Sequence, residues 1–490
     1  MLSITKISEN AYSLTGTAEI MKKIRSYFSY FEDGAEYSPA YKMGRWDGKK
    51  CLIAKDGTIF AGLYEKLIKY CDSNKIDYKV FGKVASEAHS DYYDWLQQQS
   101  ITKDGQKVTL WEHQKQAFVE ALKRKNRIII SPTSSGKTMV LFLLLKYFVE
   151  NIDNRKKILF LVPNLSLFEQ TLADFKEYAK GSKWNIMENL HTIKAGSEKY
   201  SSKQIYFSTW HSMAKMERDY FEKFEAVVVD ETHLAAADKL FNIVKFCHNA
   251  CYRIGVTGSL SHSVGDNLLI ESILGPTSQF ITTRELIDKN LAANTDIQML
   301  ELIYDKETVQ KLKRKSYVYE IEKVLENEKR NNFIIELCRR TKGNTMLMFN
   351  YVAKHGIPLY NKLKTELKDR NVYYISGMVD PEERERIRVA MEKEENAILI
   401  ANFATTSTGV SITNIHNLII CSTIASPIRL YQTLGRGLRK GEFKETIKIF
   451  DIVDDLRVGK YVNHLYRHGE ERKVLYKKEN HPFKVTKITL

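Results

Sequence analysis

The chain has 490 residues, 43% hydrophobic and 28% charged, and its 75 Lys and Arg against 60 Asp and Glu give a formal charge of +15. Those values exclude a largely disordered chain and predict several domains able to bury cores. The excess charge points to a polyanionic partner, with lysine-rich solubility as the bland alternative. Six scattered cysteines exclude a disulfide framework, Cys247 and Cys251 lack a second pair at zinc-ligand spacing, and the apolar run 139–149 is broken by Lys146 and too short for a bilayer. With no signal-like N-terminus, a soluble cytoplasmic protein is expected.

Residues 1–100 read as a small α+β module. Ile4 to Leu14 alternates loosely, Ala18 to Tyr30 has helical spacing, and strand-like runs flank Asp56-Gly57. The segment Tyr41-Lys-Met-Gly-Arg-Trp-Asp-Gly-Lys-Lys50 interleaves cations with aromatics around two glycines, so Arg45 and Lys49 suit phosphates and Trp46 suits a base or sugar. The alternative is that Trp46 plugs the core of its own module and the lysines are solvated.

Residues 101–290 read as an α/β domain. After a connector, the amphipathic helix around Trp111 to Phe118 carries Gln114, whose amide can both donate to and accept from an adenine edge. The apolar strand Arg127 to Ile130 then leads through Ser131, Pro132, Thr133, Ser134, Ser135, Gly136, Lys137 and Thr138 into a leucine-rich helix. A strand, loop and helix in this order present backbone N–H groups and a helix N-terminus to a triphosphate. Lys137 would reach the β- and γ-phosphates and Thr138 would hold Mg²⁺, although Ser131 stands where the phosphate-loop pattern has its first glycine.

Three more buried-type strands follow, each ending in polar residues at the edge where open parallel sheets bind ligands. Lys157 to Val162 ends in Pro163-Asn164, Gln204 to Ser208 ends in Thr209-Trp210-His211, and Ala226 to Val229 ends in Asp230-Glu231-Thr232-His233. Asp230 suits the Mg²⁺ shared with Thr138, and Glu231 suits polarisation of an attacking water. Thr257 and Ser259 follow the next strand and are expected to link the metal site onward.

Residues 291–330 read as a linker with an entry helix, 331–455 as a second α/β domain without a phosphate loop, and 456–490 as a basic tail. The second domain carries Ser407 to Ser411 and, on an expected helix, Gln432 to Arg439. Arg436 and Arg439 lie three apart on one helix face and would neutralise charge developing on the γ-phosphate.

In this order the motifs resemble those of superfamily 2 helicases with two RecA-like domains. Gln114 falls in the adenine-reading motif, Ser131 to Thr138 in motif I, Val162 to Gln170 in motif Ia and Asp230 to His233 in motif II as DETH. Thr257 to Ser259 fall in motif III, Ser407 to Ser411 with Thr408 and Gly409 in motif V, and Gln432, Arg436 and Arg439 in motif VI as QxxGRxxR. The Gly-x-Trp-Asp-Gly segment Gly44 to Gly48 within a small N-terminal module is similar to phage UvsW-type recombination helicases. Ser411 departs from the Asp of many relatives.

The resemblance implies two tandem RecA-like P-loop domains plus a small N-terminal α+β module, with ATP and Mg²⁺ as cofactors. It further implies an ATP-dependent DNA translocase, monomeric and in the host cytoplasm if phage-encoded, that remodels forks, four-way junctions, displacement loops and RNA–DNA hybrids. Backbone grip would come from Pro163, Asn164, Thr209, Trp210, His211, Ser376, Gly377 and Thr408. The alternatives are an RNA helicase of the same superfamily, a restriction-type duplex translocase subunit, and a nucleic-acid scaffold with residual ATPase. The basic tail is read either as an extra contact or as merely solvated.

Overall fold

The computed structural model describes the chain apart from residues 83–90, 104, 183, 195, 235, 236, 261, 262, 407–411 and 423–445. Two compact units make up the chain, Met1–Pro132 with Gly136–Ile281 and Thr282–Leu490 with Thr133–Ser135.

The first unit contains a seven-stranded sheet in the spatial order Leu190–Ile193, Ile205–Thr209, Lys157–Val162, Phe224–Asp230, Tyr252–Thr257, Asn126–Ile130 and Thr277–Gln279. Every pairing in it is parallel. The runs Ile158–Val162 and Ala226–Val229 are fully buried, as expected for central strands covered by helices on both faces. Helix Lys137–Asn151 is apolar around its whole circumference from Met139 to Leu145, and all of those residues are buried.

The N-terminal module has a four-stranded sheet in the order Thr58–Phe60, Ala11–Thr15, Leu2–Ser8 and Tyr78–Phe81. The expected helix from Ala18 to Tyr30 stops at Tyr27, because Ser29–Phe31 pairs antiparallel with Lys49–Cys51. The module is not a separate body. Leu2, Ile4, Leu63 and Leu67 share one continuous apolar core with Ile243, Val244, Leu269, Ile270 and Ile273 beneath the larger sheet.

Polar contacts fix the same junction. Arg127 Nη2 pairs with Glu65 Oε1 at 2.7 Å, and Lys66 pairs with Glu271. Arg253 Nη1 donates to Glu9 O at 2.8 Å and Asn10 Nδ2 donates to Lys245 O at 2.8 Å. Gly62 packs directly on the backbone of helix Val264–Leu274, where an added Cβ would stand 2.1 Å from Glu271 O.

The second unit has another seven-stranded parallel sheet, ordered Val372–Ile375, Ile398–Asn402, Thr345–Phe349, Asn417–Ile420, Thr446–Asp455, Asn294–Ile303 and Phe483–Thr489. Two expectations are corrected here. The segment 291–330 is not a linker, since Asn294–Ile303 lies inside this sheet in ten-residue register with Thr446–Asp455. Nor is 456–490 a free tail: helix His464–Lys478 buries Leu465, Tyr466 and Tyr476, and Phe483–Thr489 adds the edge strand.

Buried charge ties those late elements in. Arg330 Nε meets Asp454 Oδ1 at 2.8 Å, and Arg472 Nη2 meets Asp451 Oδ1 at 2.8 Å, all four side chains being 2% exposed or less. Such pairs survive burial only when both partners are present and hydrogen-bonded.

Candidate active site

Strand Asn126–Ile130 ends at Ser131, whose N–H donates to Thr257 O at 2.8 Å, so the following loop is tied to the tip of the neighbouring strand. Ser134 at φ 71° and Gly136 at φ 80° both take the left-handed backbone conformation before the helix begins at Lys137. Left-handed residues in a loop before a helix turn successive N–H groups toward one concavity, which suits a phosphate. Ser131, Pro132 and Ser135 are buried, while Thr133, Ser134, Gly136, Lys137 and Thr138 are half-buried.

Gln114 lies on this loop. Its Oε1 accepts the Trp111 N–H at 2.9 Å, capping helix Glu112–Arg124, and its Nε2 would stand 2.1 Å from a Cβ added to Gly136. The residue expected to read a base therefore also braces the phosphate loop.

Strand register sets Val162 beside Thr209, Asp230 beside Val256 and Thr257 beside Ile130, so the polar ends collect along one edge of the sheet. Asp230 is buried at the tip of its strand, and Glu231, at φ 49°, turns back toward the phosphate loop. Lys137 Nζ meets Glu231 Oε1 at 2.5 Å. Burial and then the Glu231 charge push the Asp230 carboxyl up against the pull of Lys137. Burial acts the same way on Glu231, but the Lys137 ammonium outweighs it and holds Glu231 below the usual carboxylate range.

His233 connects this centre to the next strand. Its Nδ1 contacts Thr257 Oγ1 and lies 3.3 Å from Glu231 Oε2. Thr257 gives its own proton to Ser259 O at 2.8 Å, which leaves Oγ1 to accept from His233 Nδ1–H. Burial pushes His233 down to about 4, so the ring is neutral and carries a positional link without a charge.

The residues fit Mg²⁺. Asp230 is buried and the adjacent Glu231 part-buried at the same strand tip, where Glu231 pairs with Lys137. Among the described residues no group of three or more His, Cys, Asp or Glu is placed to hold a metal. An ion here would take few protein ligands and complete its shell with phosphate and water oxygens, which is the usual habit of Mg²⁺.

The expected nucleic-acid residues divide. Asn164 Oδ1 accepts the Leu167 N–H at 2.9 Å and Thr209 Oγ1 accepts the Ser212 N–H at 3.3 Å, each starting a helix beside the ligand edge, and His211 is exposed. Pro163 is buried behind Asn164. Trp210 is a correction: it is 3% exposed and packed in the apolar core, because the first turn after Thr209 points its indole under the sheet. Ser376 is buried and Gly377 is exposed. Arg45 and Lys49 are exposed, whereas Trp46 is half-buried and donates its indole N–H to Lys49 O at 2.8 Å. Thr408, Gly409, Gln432, Arg436 and Arg439 lie outside the described residues.

Sequence reasoning missed Arg127, Arg253 and Glu271 at the junction with the N-terminal module. The available signal was an arginine opening each of two apolar strands, which is costly unless a partner waits for it.

Residues 107–262 match the family model for the res subunit of type III restriction enzymes, 8–82 the N-terminal model of the DNA helicase UvsW, and 328–441 the helicase conserved C-terminal domain. The ATP-dependent DNA helicase UvsW of Enterobacteria phage T4 is 28% identical over 487 residues, covering 96% of this chain and 95% of that protein. The crystal structure of T4 UvsW superposes with a TM-score of 0.52 at 26% identity, covering 100% of this chain and 99% of that one. Saccharomyces cerevisiae Dbp5 bound to RNA and ADP BeF3 shares the fold, with a TM-score of 0.53 at 16% identity over 77% of this chain and 89% of its own. The two sheets are accordingly a tandem pair of RecA-like domains.

Proposed function

We propose that this chain, which is similar to the ATP-dependent DNA helicase UvsW and carries helicase domains, is a DNA translocase remodelling branched duplexes: reversing forks, migrating four-way junctions and opening displacement or RNA–DNA loops. The supporting observation is the N-terminal module. It matches the UvsW N-terminal model over residues 8–82 and shares its core with the ATP-binding domain, so whatever DNA it holds moves with the nucleotide site.

In the proposed cycle the phosphate loop and Lys137 hold the triphosphate, and Thr138 and Asp230 hold Mg²⁺, which would supply charge neutralisation at the β- and γ-phosphates. Lys137 gives up Glu231 when the phosphates arrive, and Glu231 is then free to orient water. Arg436, Arg439 and Gln432 are proposed to act on the γ-phosphate during hydrolysis, and Gly409 to serve nucleotide binding. Asn164, Thr209, His211, Ser376, Gly377 and Thr408 are proposed to grip the DNA backbone, with Arg45 and Lys49 contributing from the module.

The test is steady-state ATP hydrolysis with fork, four-way junction, linear duplex, single strand and RNA, using Lys137→Ala as the blank. Preferential stimulation by the branched DNAs is expected. Stimulation by RNA alone would replace this reading with an RNA helicase, and equal stimulation by linear duplex would favour a simple duplex translocase.

A further inference from the structure

We propose that the loop between strands Ser29–Phe31 and Lys49–Cys51 is the element that separates strands, by receiving unpaired bases of a DNA branch on Tyr37, Tyr41 and Met43; this rests on the branched-DNA reading above. The loop carries an unusual share of bare apolar surface. Tyr37 is 74% exposed, Met43 63%, Phe31 46% and Tyr41 38%. None is aliphatic: they are rings and one thioether, each offering a flat or polarisable face of the kind on which bases stack. Lys42, Arg45, Lys49 and Lys50 follow Tyr37 with Asp47 the lone acid among them, so phosphates on that side of the loop meet positive charge, whereas Glu32, Asp33 and Glu36 precede Tyr37 and leave its N-terminal side acidic.

A separating element must be stiff, and this loop is held at its base. Glu32 N–H donates to Gly48 O at 2.8 Å, and Arg45 N–H donates to Ala40 O at 2.9 Å. Phe31 covers Gly48, where an added Cβ would lie 2.3 Å from the ring, and it meets Tyr41 edge-on with centroids 5.6 Å apart. Trp46 serves here as a brace through Lys49 O. One residue before Phe31, Tyr30 packs over Gly265 of helix Val264–Leu274, where a Cβ would stand 2.3 Å away. The platform is thereby fixed to the ATP-binding domain without a hinge, and each translocation step of that domain drives it against the branch point.

The experiment compares the full-length protein with Tyr37→Ala/Met43→Ala and with Tyr37→Phe on a forked duplex, reading base pairs opened per ATP hydrolysed and confirming folding by melting temperature. The double variant is expected to open at least tenfold fewer base pairs per ATP, and Tyr37→Phe, which keeps the ring, to match wild type. Wild-type coupling in the double variant would overturn the proposal and leave the surface to a protein partner; a loss in Tyr37→Phe equal to that of the double variant would overturn stacking as its basis. Wild-type protein that ignores forks would instead sink the branched-DNA reading on which it stands.

Discussion

Lys137 Nζ stands 2.5 Å from Glu231 Oε1, joining the start of the phosphate-loop helix to the turn after strand Phe224–Asp230. Each side chain is about one-seventh exposed, so the pair is a substantial charge contact and not a solvated one. A triphosphate carries more charge than one carboxylate and competes for the same ammonium. In the proposed cycle, nucleotide binding releases Glu231 at the moment a water-orienting group is needed.

Glu231→Gln is expected to lower DNA-stimulated hydrolysis at least ~100-fold, the usual scale for loss of a general base, while ATP still binds. Lys137→Ala is expected to lose both. Filter or fluorescence binding beside a phosphate-release assay separates the two, and wild-type turnover in Glu231→Gln would remove its assigned role.

The contact of Gly136 with Gln114 gives a second expectation. A Cβ at Gly136 meets Gln114 Nε2 at 2.1 Å, and φ of 80° strains any L side chain there by about 1–2 kcal/mol. Gly136→Ala should weaken ATP binding by roughly tenfold or more, since each factor of ten is about 1.4 kcal/mol. Adding Gln114→Ala relieves the contact but not the strain, so titration with a fluorescent nucleotide should show partial recovery.

The N-terminal module should fail together with the helix it rests on. Gly62→Ala places a methyl 2.1 Å from Glu271 O and 2.5 Å from Ser272 O, both backbone atoms that cannot step aside. Overpacking of this kind costs about 1–3 kcal/mol. Hydrogen exchange should accelerate in Leu2–Ser8 and Val264–Leu274 at once; loosening confined to the module would argue for an independent domain.

Acid should loosen the second unit through His481. The ring is buried beside Thr295, with Nδ1 3.1 Å from Thr295 Oγ1, and burial followed by the Arg284 charge lowers it to about 4 from an ordinary 6.5. The folded value is depressed, so the unfolded chain takes up the proton first. Stability is intact above about pH 6.5 and is lost as pH falls toward 4, by up to about 3 kcal/mol. His481→Gln should flatten that part of the denaturation profile of the isolated-transition midpoint against pH.

Much of the fold was legible because central parallel strands are buried on both faces and read as unbroken apolar runs, as Lys157 to Val162 and Thr345 to Phe349 do. The clustering of the candidate site was legible for a related reason. Its residues lie within a few positions of strand ends, so the chain order of Lys137, Asp230 and Glu231 already implied one sheet edge.

Two of the edge strands escaped because half their surface faces water. Thr277–Gln279 has no apolar residue, and Phe483–Thr489 alternates with lysine, so neither carries a burial signal. The sequence by itself determined which strands are central and that Lys137, Asp230 and Glu231 gather at one sheet edge. Only the tertiary structure decided that Trp210 is core, that Gln114 braces Gly136, that 456–490 completes a sheet, and that the N-terminal module is welded to the ATP-binding domain. Those are contacts between residues distant in the chain, set by which buried charges and apolar faces find partners, and no local pattern records the partner.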